Sequence, residues 1–274
     1  HECSSAASDV YKRQGDNKLD IRLSELGGKG LFSKNIENEL LNKNIDLAVH
    51  ALKDLPSFDT EGLVTNCFLK RNNSNEVMIS NSNKKLNDLV PGSIVGTSSF
   101  RREFQLKRIR KDLNFKLIRG NVDTRIRKLK SGEYDAIILA KAGLSSLNLD
   151  KEITQEFSNN DLIPSAGQGT IAVQCRKDDI DIIKLLNKIN HEQTSICVKA
   201  EREVLKVLDG DCETAVGATS KIVDDKIYLS GELFSIDGSR RYFYETSKKL
   251  SDFYMAGEEV GKKLKEESQG NYKK

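Results

Sequence analysis

Hydrophobic and polar positions along this chain form short blocks that predict strands alternating with helices. Apolar runs of five to eight residues, bounded by turn residues, predict buried strands at residues 45–52, 76–80, 93–98, 115–119, 135–140 and 171–176. Amphipathic or basic helical spacing predicts helices at residues 34–43, 99–111, 123–130, 179–189 and 194–208. This alternation is typical of an α/β unit built on a mainly parallel sheet.

The last eighty residues have a different pattern. Two alternating segments, residues 226–235 and 240–246, flank Asp237-Gly238, which is a strong signal for a β-hairpin. A final amphipathic helix is predicted at residues 250–267. Paired strands covered by helices indicate a small α+β domain at the C-terminal end.

Composition narrows the class of protein. The chain has 274 residues, which suits two or three domains, with 37% hydrophobic and 31% charged residues, as in soluble globular proteins. No stretch approaches the roughly 20 apolar residues of a membrane span, and no secretion signal is visible. The five cysteines are scattered without a C-x-x-C pair, which argues against a metal site and a disulfide framework. We therefore expect a reducing compartment, the cytoplasm or an organelle stroma.

Charge is concentrated in one segment. Residues 101–130 contain twelve Lys and Arg against three acidic residues, a local charge of +9, whereas the whole chain carries only +3. A basic segment on a mildly acidic body indicates one site for an anionic ligand.

Two loops within this segment have the composition of anion sites. In each, a predicted strand ends in small polar residues and a helix begins, so that backbone amides and the helix dipole face a ligand. Arginines in both loops can bind carboxylates or phosphates in a bidentate manner. The residues are Thr97, Ser98, Ser99, Arg101 and Arg102 in the first loop and Arg119, Gly120, Asn121 and Arg125 in the second.

Two further segments carry reactive side chains. Lys53 and Asp54 follow a predicted buried strand, where α/β sheets commonly place ligands, although a helix cap or surface ion pair also fits. Cys212 lies in a polar loop beside Gly210, where a thiol can be nucleophilic or simply buried. His50 fits a packed core histidine better than a base. The glycine cluster at residues 27–30 fits a ligand loop or a flexible turn.

Seven segments together resemble the porphobilinogen deaminase (hydroxymethylbilane synthase) family. They occur in the family's order and cover the chain from about Gly15 to its end. The matching segments are GGKGLFSKNIE, DLAVHALKDLP, SIVGTSSFRR, LIRGNVDTRIRKL, EYDAIILAKAGL, LIPSAGQGTIAVQCR and the GDC loop.

This resemblance implies a fold and a domain organisation. Two α/β domains similar to those of periplasmic binding proteins are expected, followed by a C-terminal α+β domain. The first comprises residues 15–70 and 168–190, the second, with the basic cleft, residues 71–167, and the third, with the cysteine loop, residues 191–274.

The resemblance also implies an activity: head-to-tail condensation of four porphobilinogen units into hydroxymethylbilane, with release of ammonia, on a covalent dipyrromethane cofactor. Cys212 would carry the cofactor, and Asp54 with Lys53 would be catalytic. Further cofactor contacts would come from Lys53, Asp54, Thr97, Ser98, Ser99, Arg101, Arg102, Arg119, Gly120 and Asn121. Substrate would be bound by Arg125, Gln168, Arg176, Lys29 and Phe32. No metal, nucleic acid or membrane partner is implied, and a monomer is expected.

Some positions depart from the family pattern. Asp211 and Ala215 replace a glycine and a proline of the cofactor loop, and Ala51 replaces a serine. The family's first strand, with an arginine and a serine, has no counterpart, so we expect an N-terminal truncation in which residues 1–14 are unrelated to the family and activity is low. Two other classes remain open: a non-catalytic anion-binding protein of the same fold, and a nucleic-acid binder that uses residues 101–130.

Overall fold

The computed structural model describes residues 33–210 and 214–273, in which the strands and helices form three sheets with their flanking helices. In chain order the elements are α1 (Lys34–Leu41), β1 (Leu47–Ala51), β2 (Leu63–Phe68), β3 (Glu76–Ser80), β4 (Ile94–Gly96), α2 (Phe100–Ile109), β5 (Asn114–Lys116), α3 (Val122–Lys130), β6 (Ala136–Ala140), α4 (Lys141–Ser145), β7 (Gln155–Glu156), β8 (Ile171–Arg176), α5 (Ile180–Asn187), α6 (Glu192–Leu208), β9 (Val216–Val223), β10 (Lys226–Phe234), β11 (Arg241–Lys249) and α7 (Phe253–Ser268).

The first sheet has the strand order β1-β8-β2, and both pairs are antiparallel. Its central strand, β8, reaches the sheet only after the chain has formed the whole second sheet. The chain therefore passes twice between the two sheets, once after β2 and once before β8. Helix α5 covers one side through a cluster of Cys67, Val173, Cys175 and Leu186.

The second sheet has the order β5-β4-β6-β3-β7 and a core on each face. Strand β4 is parallel to β5 and β6, whereas β3 is antiparallel to β6 and β7. The prediction of a mainly parallel sheet is therefore wrong for the described residues. All five residues of β3 are buried, as in parallel sheets, but burial on both faces does not fix strand direction.

The third sheet is a β9-β10-β11 meander, with α6 and α7 packed on one face. The predicted hairpin at Asp237-Gly238 is confirmed: Phe234 pairs with Arg241, and Gly238 has φ +71°, which glycine adopts without strain. The side chains of Val204, Leu229, Leu233 and Val260 form the core between the sheet and its helices.

Helix α2 connects the second and third sheets. Phe104 packs against Phe234 of β10 with ring centroids 5.8 Å apart, and Ala215 joins the same cluster. Gln105 also donates a hydrogen bond to Glu232 of β10. Residues just after the predicted cofactor loop therefore lie against the helix that carries Arg101 and Arg102.

The mixed α/β class with a C-terminal α+β unit is confirmed. Each sheet takes its strands from one of the three predicted domain segments, but the domain division itself stays a prediction. Strands β2, β7 and β9 were not predicted, and the strand predicted at residues 115–119 is instead Asn114–Lys116. In the part of the chain that the structure describes, no helix combines the length and apolar character needed to cross a membrane.

Candidate active site

Lys53 and Asp54 lie in a 3₁₀ turn, Leu52–Asp54, directly after β1. Leu52 is fully buried, and its amide donates to the carbonyl of Thr170 at 2.9 Å. From the opposite side, Arg202 of α6 donates to the carbonyls of Leu55 (3.4 Å) and Pro56. The turn is thus held by two elements that are distant in sequence, which fixes the position of both candidate catalytic side chains.

The Lys53 ammonium group donates to Oε1 of Gln168 at 3.2 Å. Gln168 is fully buried, and its Nε2 donates to the carbonyl of Ser74 at 2.7 Å, so the amide orientation is defined. The Lys53 side chain keeps accessible surface, yet desolvation by the surrounding protein, followed by the charge of Arg102, lowers its pKa to about 8. Lys53 therefore changes charge just above neutral pH.

Arg101 and Arg102 share one buried carboxylate, that of Glu76 at the start of β3. Arg101 Nη2 lies 2.7 Å from Oε1, and Arg102 Nη2 lies 2.7 Å from Oε2. Glu76 is fully buried; desolvation opposes ionisation, but the two guanidinium groups outweigh it and lower the Glu76 pKa to about 2. We call Lys53, Glu76, Arg101 and Arg102 the cationic cluster.

The first predicted anion loop connects β4 to α2. Ser99 is the N-cap of α2, and its hydroxyl accepts from the amide of Arg102 at 3.4 Å. The hydroxyl of Thr97 accepts from the amide of Ser99 at 3.2 Å. The loop is therefore a capped helix start that places Arg101 and Arg102 in the first turn.

The second loop leaves the same edge of the sheet, since β4 and β5 are parallel neighbours and the Thr97 amide donates to the carbonyl of Lys116. Gly120 has φ +107°, and a Cβ there would lie 2.7 Å from Thr124 Cγ2, so the turn requires glycine. Asn121 caps α3, and Arg125 Nε donates to the Gly120 carbonyl at 2.8 Å. The two predicted anion loops therefore lie next to each other.

Arg176 lies elsewhere. It ends β8, whereas Lys53 follows β1, and the two strands are antiparallel with Ala51 opposite Ile171. Five residues of strand separate the two ends of the sheet, about 17 Å. Nη2 of Arg176 binds Asp46 and Asp179 at 2.9 Å each, and Nη1 binds two backbone carbonyls near α1. These contacts favour a structural clamp, and its substrate role stays a prediction.

A second buried carboxylate, which the sequence did not reveal, joins the third sheet to the two segments that connect the first sheet with the second. Glu201 of α6 accepts both Nη1 and Nη2 of Arg71 at 2.6 and 3.1 Å, together with the amide of Gly167 at 2.8 Å. It also accepts the amide and hydroxyl of Ser220 on β9. Arg71 Nε donates to the backbone carbonyl of Gln168 at 2.9 Å. The residue that contacts Lys53 is thus anchored to the third sheet.

Glu76 also escaped sequence reasoning, although a charged residue beginning the otherwise apolar run EVMIS was a usable signal. Three predicted site residues, Lys29, Phe32 and Cys212, lie outside the described residues, as do residues 1–14. Within the described ranges, no group of three or more His, Cys, Asp or Glu is arranged to hold a metal ion.

Comparison with known proteins gives the family. Residues 4–184 match the model of the porphobilinogen deaminase dipyromethane cofactor binding domain, and residues 195–269 match that of the porphobilinogen deaminase C-terminal domain. The chain belongs to the porphobilinogen deaminase family. The match begins at residue 4, eleven residues before the Gly15 at which the resemblance was placed from the sequence motifs.

Relatives from several bacteria match most of the chain. The porphobilinogen deaminase of Bacillus pumilus is 47% identical over 82% of this chain and 73% of its own length. That of Staphylococcus aureus strain MRSA252 is 41% identical over 94% of this chain and 83% of its own length. An amino acid ABC transporter substrate-binding protein from Streptococcus pneumoniae matches 57% of this chain and 65% of its own, at 18% identity and a TM-score of 0.33, too low to carry an argument.

The described residues fit the acidic cofactor of the porphobilinogen deaminase family. A dipyrromethane carries acetate and propionate groups, and the cationic cluster offers two guanidinium groups around one carboxylate together with the ammonium group of Lys53. Nε of Arg102 is buried and has no hydrogen-bond partner in the described part of the chain. A buried donor of this kind is costly unless a ligand satisfies it. We therefore expect a ligand carboxylate to lie near Arg102.

Proposed function

We propose that this chain condenses four porphobilinogen units head to tail into hydroxymethylbilane, releasing ammonia, on a dipyrromethane attached through Cys212. It would serve tetrapyrrole biosynthesis. Family membership over most of the chain supports the reaction. The observation that carries the site is the cationic cluster, because Arg101 and Arg102 share the Glu76 carboxylate and their charges act on Lys53, which adjoins Asp54 in the same turn.

Cys212 is the proposed attachment point. Gly210 and Thr214 flank it, and Ala215 packs with Phe104 and Phe234 against α2. A loop that ends beside α2 can reach a ligand held by Arg101 and Arg102 in the first turn of that helix. Cys67, Cys175 and Cys197 are buried thiols, and burial raises the pKa of each, which disfavours a nucleophilic role.

Each remaining residue has a proposed role in binding or proton transfer. When bound, the primer supplies the pyrrole carbon that forms the new C–C bond as the aminomethyl C–N bond of the incoming unit breaks and ammonia leaves. The Asp54 carboxylate stabilises positive charge that develops at a pyrrole nitrogen and relays protons. Lys53 and the arginines of both anion loops hold acetate and propionate groups, with Thr97, Ser98, Ser99, Gly120 and Asn121 lining the two loops. Gln168 orients Lys53.

Other parts of the proposal concern partners and compartment. The ligand is a small molecule, porphobilinogen, and not nucleic acid or membrane. Arg101, Arg102 and Arg119 of the basic segment are buried and do not form an exposed basic surface. We propose a monomer in the cytoplasm or an organelle stroma, where the buried thiols would remain reduced.

Intact-protein mass spectrometry tests the attachment. We expect the full chain to exceed its sequence mass by two porphobilinogens less two ammonias. Cys212→Ala should remove this excess, whereas the matched variant Cys197→Ala should keep it. An excess that survives in Cys212→Ala would overturn the assignment.

Asp54→Asn tests the catalytic role, because it keeps the shape of the side chain and removes its charge. Loss of a preorganised charge at the reacting centre is worth about 100-fold or more in turnover. We expect that loss in protein shown by mass to carry the cofactor. Asp59→Asn, a nearby acidic position beyond the turn, is the control and should stay within a few-fold. Parent-like turnover in loaded Asp54→Asn would contradict the role.

A further inference from the structure

Glu76 is the most deeply buried member of the cationic cluster. Its Oε1 accepts a hydrogen bond from Arg101, whereas Oε2 forms an ion pair with Arg102 and has no hydrogen-bond partner within the described residues. Each oxygen lies 2.7 Å from the Nη2 atom of a different arginine, Arg101 or Arg102. Its backbone is fixed as well, because Glu76 pairs with Ala140 of β6 and accepts the amide of Phe157. The carboxylate is therefore a rigid point between two guanidinium groups.

The other contacts of the two arginines leave room for a ligand on one of them. Arg101 Nη1 donates to the carbonyl of Ile163 at 2.7 Å and to Gln105 at 3.3 Å. Arg102 Nη1 donates to the carbonyl of Ile138 at 3.2 Å. With Glu76 on the Nη2 atoms, both planes are set by protein groups, and Nε of Arg102 has no hydrogen-bond acceptor in residues 33–210 and 214–273.

The charges around Lys53 come from several elements. Arg102 and Arg101 on α2 disfavour its ammonium form, whereas Asp54 on its own turn and Glu76 on β3 favour it. The negative charge of Glu232 on β10 favours the charged form of Arg101. Like charges repel strongly where water has little access, as at the buried Arg101 and Arg102. Without Glu76, these two guanidinium groups would lose the carboxylate between them, and the ammonium form of Lys53 would lose one of the two carboxylates that favour it.

We propose that Glu76 is a positioning residue that orients Arg101 and Arg102 before a ligand carboxylate arrives and supplies the negative charge that lets three cations share one site. The inference deepens the proposed function and rests on it for the identity of the ligand. It adds a residue that acts through the arginines and Lys53 without touching substrate.

The titration of Lys53 tests the charge role without depending on activity. Lysines of the full chain are labelled by reductive ¹³C-methylation, their NMR signals are followed from pH 6 to 11, and Lys53→Arg identifies the Lys53 signal. In Glu76→Gln we expect the Lys53 midpoint to fall by about half to one pH unit, a roughly three- to tenfold loss of proton affinity. A folded Glu76→Gln protein with an unchanged midpoint would overturn the charge role.

Two further variants separate charge from position. Glu103→Gln removes another buried glutamate, which pairs with Lys107 at 2.8 Å, and should leave the Lys53 midpoint unchanged.

Glu76→Asp keeps the charge but is one methylene too short to span both arginines. It should preserve the midpoint and raise the KM for porphobilinogen about tenfold with a smaller change in kcat, as expected when ground-state binding is lost. Glu76→Asp tests the proposal even if Glu76→Gln does not fold. A KM and a kcat equal to those of the parent in Glu76→Asp would overturn the positioning role. Absence of activity in the parent would instead refute the proposed function and leave the titration result intact.

Discussion

Arg102 and Arg176 are equally buried, yet the structure surrounds them differently. Arg176 is 8% exposed and Arg102 is 7% exposed. Arg176 meets two carboxylates that remain partly accessible, those of Asp46 and Asp179, and two backbone carbonyls. Arg102 meets a carboxylate without any access to water, and its Nε has no hydrogen-bond partner within the described residues. Burial therefore does not distinguish the two arginines, and the proposal that Arg102 binds a ligand rests on this donor.

The largest expected effect concerns the buried carboxylate. The pKa of Glu76 is lowered from 4.5 to about 2, so its ionisation stabilises the fold above pH 4.5, and this stabilisation is lost as the pH falls through about 2. The full effect is on the order of 3 kcal/mol. We expect urea unfolding of the parent to lose part of this between pH 5 and pH 3, and Glu76→Gln to lack that component. If the difference in free energy of unfolding between the parent and Glu76→Gln did not change with pH, this explanation would be contradicted.

Next in size is Arg102→Lys, which keeps the positive charge and removes the planar fork and Nε. A lysine can still reach one oxygen of Glu76 but cannot also hold a ligand carboxylate. We expect kcat/KM for porphobilinogen to fall about 100-fold, equivalent to about 2.7 kcal/mol. The urea midpoint should move much less. Unchanged kcat/KM would remove Arg102 from the proposed site.

Arg176→Lys is the same substitution at the other arginine, and the expected result is reversed. Lysine cannot bind two carboxylates and two carbonyls at once, and we expect a loss of about 2 kcal/mol in the free energy of unfolding. The kcat/KM of the folded protein should stay within a few-fold of the parent. A large loss of activity at full stability would instead support the substrate role predicted for Arg176 from the sequence.

Sequence reasoning could not distinguish these arginines because each lies at or just after the end of a strand and both stand in family motifs. It did predict β8 at its observed bounds, since IAVQCR is a mostly apolar segment that follows a loop containing proline and glycine. It missed β2, where Asn66 interrupts the apolar pattern and the pairing with β8 shifts between Thr65 and Cys67. Local patterns give strands and loops, but they do not show which distant groups face each other.

The cationic cluster illustrates the same limit. Lys53, Glu76 and Arg102 are separated by more than twenty residues of sequence at each step, and their encounter depends on the chain passing between two sheets. The sequence identified Lys53 and Arg102 as ligand-binding candidates by residue type and position after strands. The carboxylate that Arg102 shares with Arg101 depends on the side-chain direction at Glu76, the first residue of β3, which no periodicity specifies.

The smallest expected effect concerns a third kind of basic residue, Lys130 at the end of α3. It belongs to the +9 segment by sequence, but its side chain is 61% exposed and pairs with Glu152 at 3.1 Å. Exposed pairs contribute little because water screens them, so Lys130→Gln should change the free energy of unfolding by less than about 0.5 kcal/mol. Porphobilinogen turnover should stay within twofold. Glu152→Gln, which removes the other partner, should behave alike.

If Lys130→Gln instead lowered turnover tenfold, the ligand site would extend along the outer surface of α3, and the separation between the proposed ligand arginines, which are buried, and the solvated lysines would fail. A steep loss of polynucleotide binding in that variant would revive the nucleic-acid alternative, because exposed lysines act mainly through phosphate contacts.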